Sequence, residues 1–411
     1  MSNVVEKFIR YAKIDTQSDP NSNTHPSTAK QLDLSRLLVD ELNALGLANA
    51  NLDETGCVMA KMPANTGAPV PAIGFLAHVD TSPDLSGTAV NPQIVSNYDG
   101  CDILLDQAEP IVLSPATFPE LKKYTGQTLI TTDGHTLLGA DDKAGVAEIM
   151  AAVEYLAGHP EVKHGDVCIG FTADEEIGQG VKTFDVHKFG AKFAYTVDGG
   201  EAGSAEFETF NAAQVRLKIQ GRNVHPGSAK GKMVNAILIA MEFTTLLPAG
   251  QRPETTSGYE GYFHLNSIQG TVEEVEAHYL IRDHDRQKFE ARKTLMRAVA
   301  ATLNARYDNR LTLEITDAYY NMREVIEPVM TIFEIAKQAI QAVGLTPLVT
   351  PVRGGTDGSQ LSYMGLPTPN IFTGGHNAHS RHEYVPVESM EKAVEVILKI
   401  IELHTAGAGS R

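Results

Sequence analysis

The chain has 411 residues, 42% of them hydrophobic and 21% charged. That is a globular composition, which excludes wholesale disorder, and at about 150 residues per domain it predicts two to three domains. The 51 acidic side chains outnumber the 34 basic ones for a formal net charge of −17, a sign that repels phosphate backbones and anionic headgroups and argues against nucleic acid or a membrane as partner.

Cys57, Cys101 and Cys168 are odd in number and far apart, so neither a disulfide framework nor a thiolate zinc site is expected. Glu6, Lys7 and Arg10 interrupt the first apolar segment, unlike a signal peptide. No apolar run approaches the about 18 residues of a membrane span. A reduced, soluble, cytoplasmic protein is expected.

The first part of the chain alternates helix and strand. Leu34, Leu38, Leu42 and Leu45 share one face of a helix that Gly46 ends. Residues 72–77 form a short apolar run, the mark of a strand buried on both faces. Val146, Ile149, Met150 and Val153 predict a helix from Gly145 to Leu156, and residues 166–172 and 193–197 read as two more buried strands. Strands and helices in this order imply an α/β domain with a mostly parallel sheet and helices on both faces.

Near Asn211 the pattern changes. Val215, Leu217 and Ile219 alternate with polar residues. Next come a helix at about 233–247, strands at 261–269 and 274–282, a charged helix at 286–306 and a strand at 311–316. The order β-α-β-β-α-β is the split plan of a ferredoxin-like α+β domain. After Tyr319 the α/β pattern returns, with helices at about 327–343 and 389–403 and a strand at 369–372. The expected architecture is one domain built from residues 1–208 and 320–411, with residues 209–319 inserted.

The residues just past the end of each buried strand carry the chemistry. After Ala77 comes His78-Val79-Asp80, after Thr172 comes Ala173-Asp174-Glu175-Glu176, and after Val197 comes Asp198. Ligands of open α/β sheets collect at the carboxyl ends of the strands. The loop Leu138-Gly139-Ala140-Asp141-Asp142 adds carboxylates before a helix. Singly, each acid reads as a turn residue, a helix start or a solvated loop. Together they would repel one another unless a cation neutralised them. Histidine and oxygen donors without thiolate suit Zn²⁺, Mn²⁺ or Co²⁺. A second histidine would come from His376, His379 or His382, and the others would pack, cap or orient.

His-x-Asp after a strand, Gly-Ala-Asp-Asp-Lys-Ala-Gly at 139–145, Glu-Glu-Ile-Gly at 175–178, Val-Asp-Gly at 197–199 and the late His379-Ser-x-x-Glu383 occur in that order. The series resembles the M20 family of co-catalytic metallopeptidases over nearly the whole chain, with the inserted domain where that family carries its lid. Residues 171–178, 353–358 and 376–383 look closest to its tripeptide aminopeptidase branch. The resemblance implies His78 and Asp198 on one metal, Glu176 and His379 on the other, Asp141 bridging them, and a cis Asp141–Asp142 peptide. It also implies two Zn²⁺ per chain, with Co²⁺ or Mn²⁺ as substitutes.

Two such ions about 3.5–4 Å apart can share a water, lower its pKa and polarise a scissile carbonyl. Glu175, beside a ligand without being one, is the expected general base. Asp80 is expected to fix the tautomer of His78, against the bland reading of a turn residue. His225, in a Pro-Gly turn, matches the lid histidine that helps hold the oxyanion in this family, a donor worth about 3–4 kcal/mol. Arg282 and Arg353 are candidates to clamp a peptide carboxylate, with surface salt bridges as the alternative.

The expected function is hydrolysis of the N-terminal residue from short peptides, tripeptides preferred. A dipeptidase, carboxypeptidase or N-acyl-amino-acid deacylase of the same chemistry is the alternative, and a catalytically silent metal-stabilised binding protein the second. Relatives are often dimers, so a homodimer is expected too.

Overall fold

The computed structural model describes residues 3–408. It divides into two compact units. One comprises the chain up to Phe207, Glu324–Thr350 and the chain from Thr356 on; the other comprises Glu208–Arg323 and Pro351–Gly355. The short segment carrying Arg353 therefore goes with the second unit.

The first unit is built on an eight-stranded sheet. Its strands are β1 (Asn51–Leu52), β2 (Val58–Met62), β3 (Ile73–His78), β4 (Val167–Thr172), β5 (Phe193–Gly199) and β6 (Ser204–Glu206). After the four strands of the second unit, β11 (Leu348–Val349) and β12 (Asn370–Phe372) complete it. The spatial order is β1-β2-β4-β3-β5-β12-β6-β11. The four central strands, β4, β3, β5 and β12, run parallel. β3 and β4 are buried along their whole length, as expected of strands covered on both faces.

Helices α1 (Val4–Ala12), α3 (Ala140–Gly158) and α10 (Val387–Ala408) pack together, with α3 against β3 and β5. Among the remaining helices α2 (Gln31–Ala44) lies against β1 and β2, and α4 (Val186–Phe189) against β4. Phe189 of α4 fills the space left by the missing side chains of Gly74 and Gly170, in a cluster with Leu76 and Cys168. Phe75, which alternates with Leu76 along β3 and so faces the other side, stacks on Tyr195 at 5.8 Å between ring centroids.

The second unit has the order β7 (Asn211–Gln220), α5 (Ala236–Leu246), β8 (Tyr262–Gly270), β9 (Glu274–Asp283), α6 (Arg286–Arg306), β10 (Leu311–Tyr319). Its sheet is antiparallel throughout, in the spatial order β8-β9-β7-β10. Val215, Leu217 and Ile219 face a core with Phe243, Tyr279, Phe289 and Leu303.

Some element limits differ from those the sequence predicts. The helix expected at 327–343 is α8 (Thr331–Ala342); its first residues instead form a 3₁₀ turn at Glu327–Val329, preceded by the short helix α7 (Arg323–Ile326). Pro328 cannot donate a backbone N–H, which keeps α7 and α8 from joining through this turn. In α3 the residues Asp141 and Asp142 depart from helical φ/ψ, so the unbroken helix runs from Lys143, close to the Gly145 start that the apolar periodicity shows; α5 starts at Ala236, where Asn235 accepts from the N–H of Ile237 and Leu238. α9 (Asp357–Tyr363) and the short strands at 93–95, 129–131 and 384–386 carry too few residues for a periodic signal. Among the described residues no helix is long and apolar enough to cross a membrane, and all three cysteines are free thiols.

Candidate functional site

His78 is the last residue of β3 and Asp198 lies near the end of β5. Glu175 and Glu176 form a 3₁₀ turn just after β4, and Asp141 stands at the start of α3. The carboxyl edge of the parallel strands thus gathers these side chains, and the loop between His376 and Tyr384 adds His379.

Two donor groups result. His78, Asp141 and Asp198 present one ligand atom each within 4.8 Å of one another, and so do Asp141, Glu176 and His379. Asp141 belongs to both. Its Oδ1 is 3.0 Å from His78 Nε2 and its Oδ2 3.4 Å from His379 Nε2. His379 Nε2 lies 2.9 Å from Glu176 Oε2, and His78 Nε2 lies 3.7 Å from Asp198 Oδ1. Glu176 Oε1 is buried with no hydrogen-bond partner. Two imidazoles and three carboxylates, one of them with an orphaned oxygen, are a donor set that fits a pair of borderline divalent cations such as Zn²⁺. Glu175 belongs to neither group.

The electrostatics reflect this crowding. Burial pushes the carboxyls of Glu175 and Asp198 well up. Burial acts on Asp141 in the same sense, but hydrogen bonds with His379 and His78 hold it below the usual carboxylate range. Hydrogen bonds to Asp141 and Glu176 push His379 up to about 11.

A layer of supporting contacts orients the donors. His78 Nδ1 lies 3.0 Å from the backbone oxygen of Asp80 and 3.3 Å from its carboxylate. The Asp80 carboxylate itself accepts from the N–H of Glu175 and of Glu176, at 3.0 and 3.2 Å. One aspartate thereby ties the end of β3 to the turn after β4. Asp174, in the left-handed region at φ 66°, accepts from the Ser27 N–H and from Gln31 Nε2, both at 2.6 Å, and pairs with His25 at 2.8 Å. Asp142 Oδ2 accepts from the His78 N–H at 3.1 Å, and the Asp141–Asp142 peptide is cis. Glu383 accepts from the N–H groups of Leu138, Gly139 and Asp141. His379 Nδ1 lies 3.1 Å from Asp84 Oδ2.

The remaining candidates are elsewhere or otherwise engaged. His376 Nε2 shares a hydrogen bond with the Tyr124 hydroxyl at 2.6 Å, and His382 packs on Phe118. In the second unit His225 is exposed, and its Nδ1 accepts from the Gly227 N–H. Arg282 donates to the carbonyls of Ile281 and Ala213 and lies over Tyr319. Arg353 donates to the carbonyls of Gly258 and Glu260 and to Thr256 Oγ1, over the rings of Phe210 and Tyr262. The supporting roles of Asp174, Asp84 and Asp142 escape a sequence reading because these acids serve backbone N–H groups and neighbouring side chains that only the fold brings near. Glu383 differs, since it ends the late His379-Ser-x-x-Glu383 pattern.

Residues 207–310 match the peptidase dimerisation domain of the M20 peptidases. The chain is 61% identical over 401 residues to peptidase T of Geobacillus kaustophilus, covering 97% of this chain and 98% of that one. Its structure is similar to that of the aminopeptidase PepT from Bacillus cereus, with a TM-score of 0.77, 25% identity and 98% of each chain covered. A dinuclear metal-binding peptidase of the M20 family from Bacillus subtilis shares the fold at a TM-score of 0.64 and 12% identity, with 97% of each chain covered. A parallel sheet with such donors at its carboxyl edge, in a chain interrupted by a β-α-β-β-α-β unit, is the plan of an M20 peptidase. Within that class the chain belongs to the peptidase T family.

Proposed function

We propose that this enzyme removes the N-terminal residue from short peptides, tripeptides above all, with two Zn²⁺ held by His78, Asp141, Asp198, Glu176 and His379. The observation that carries the reading is Asp141, whose two carboxylate oxygens face different imidazoles and which would thus be able to serve both ions. Bound there, two divalent cations would acidify a shared water and polarise the scissile carbonyl.

The protein's own groups do the rest. Glu175, next to a ligand but outside both donor groups, takes the proton from the attacking water and returns it to the leaving amine. Asp80 orients His78 and, through two backbone N–H groups, sets the turn that carries Glu175. The inserted unit supplies His225 as a donor to the developing oxyanion and Arg282 or Arg353 as the partner of the peptide carboxylate. Free cysteines suit the reducing cytoplasm.

We read the active form as a homodimer joined through the second unit. The match to a dimerisation domain supports this, as does α5, whose Leu238 and Met241 are 60% and 57% exposed.

The deciding assay compares a tripeptide, its N-acetylated form and the corresponding dipeptide, before and after chelation. Cleavage of the free tripeptide alone, abolished by chelator and restored by Zn²⁺, is expected. Cleavage of the acetylated peptide alone would replace this reading with a deacylase or carboxypeptidase.

A further inference from the structure

We infer that Glu383 is the positioning residue for Asp141, and that the loop carrying His379 thereby sets the geometry of both candidate metal positions at once. The inference rests on the metallopeptidase reading and goes beyond it, because Glu383 is in neither donor group.

Glu383 is 1% exposed. A carboxylate so placed must find donors within the protein, and it finds three. Its Oε2 accepts from the N–H groups of Leu138 and Gly139 at 2.8 and 2.9 Å, and its Oε1 accepts from the N–H of Asp141 at 3.0 Å. The backbone from 138 to 141 is wrapped around one side chain, with Gly139 in the left-handed region at φ 77°. Charge-assisted bonds of this kind are the strong ones. They fix the peptide plane from which the Asp141 side chain departs.

The other end of the link is equally fixed. His376 and Tyr384 form a backbone bridge, His376 N–H to Tyr384 O at 2.9 Å and Tyr384 N–H to His376 O at 3.1 Å. Tyr384 then pairs with Thr131 in a short antiparallel sheet. His379 and Glu383 therefore sit on one closed loop. Its imidazole meets Glu176 and Asp141, while its carboxylate sets the backbone of Asp141. A shift of this loop would move a terminal ligand and the shared ligand together.

The test is a titration of the metal-free full chain with Co²⁺, read by the visible d–d absorption that reports ligand geometry, beside tripeptide kinetics. The wild type is expected to take two Co²⁺ per chain. Glu383→Gln sets an amide N–H₂ against backbone N–H groups, and Glu383→Ala removes the acceptor. Both are expected to change the absorption spectrum and weaken cobalt binding by about 10–100-fold, the usual effect of losing a group that orients a ligand. kcat should fall with KM nearly unchanged, and Glu383→Asp should recover part of the spectrum.

A lower melting temperature in Glu383→Gln or Glu383→Ala, with wild-type cobalt spectrum and affinity, would overturn the inference and leave Glu383 a structural residue. Should Glu383→Ala fail to fold, the comparison of Glu383→Gln with Glu383→Asp decides in the same way. A wild type that takes up no cobalt would overturn the metallopeptidase reading and this inference with it; two ions in the wild type, unaltered in the variants, would overturn the inference alone.

Discussion

Gly145 lies directly against the carbonyl oxygen of Val197, where a β-carbon would come within 1.9 Å of it. Only glycine lets α3 rest this closely on β5. The contact brings Asp141, four residues before Gly145, to the level of Asp198, one residue after Val197. Gly145→Ala is therefore expected to push helix from strand. Overpacking of this kind costs about 1–3 kcal/mol, measurable by urea unfolding, and activity should fall more than the stability loss explains because the two carboxylates separate. A variant with unchanged unfolding and unchanged turnover would show that the close approach is not required.

Glu175→Gln keeps the size of the side chain and removes its ability to take a proton. Turnover of a tripeptide is expected to drop by about 10²–10⁴-fold, the range for a lost general base. Zinc content measured by atomic absorption should stay at the wild-type level. Near-native kcat would assign the proton transfer to another group.

His376 should make the fold acid-sensitive. Burial pushes its imidazole down to about 4, with Glu201 opposing and Lys123 reinforcing the shift. An unfolded histidine titrates near about 6.5. Above that pH neither state carries the proton and the contribution to stability is complete. As pH falls from about 6.5 towards 4 the unfolded chain takes up a proton that the folded chain refuses, so stability is lost. His376→Gln should flatten the pH dependence of urea unfolding across that window, with chelator present throughout. Parallel curves for the two proteins would exclude the effect.

Leu238 and Met241 stand three residues apart on α5 and both are exposed, so they lie on one stripe of the helix. The double change Leu238→Glu and Met241→Glu should leave the core of the second unit intact, since Ile239, Ala240 and Phe243 are among the buried residues of that helix. Sedimentation velocity should report a dimer for the wild type and a monomer for the variant. A wild-type monomer, or a dimer that survives the change, would exclude this face.

The architecture was legible wherever burial left a pattern. The unbroken apolar run of β3 and the alternation in β7 each announce how many faces are covered. The site was legible because three such runs end in His78, Glu175-Glu176 and Asp198. Elements of two to four residues, such as β11 and α7, have no period to read. Asp80 shows the limit at the site itself. Its position beside His78 is plain from the sequence, but its carboxylate serves two N–H groups 95 and 96 residues away, a relation that only strand order creates.

Anomalous diffraction at the zinc edge from crystals of the zinc-loaded enzyme is the shortest route to the central claim. Two peaks are predicted, one on each side of the Asp141 carboxylate: the first beside His78 Nε2 and Asp198, the second beside His379 Nε2 and Glu176, each at about 2.0–2.2 Å from its ligand atoms. A single peak away from Asp141, or none from active enzyme, would contradict the account.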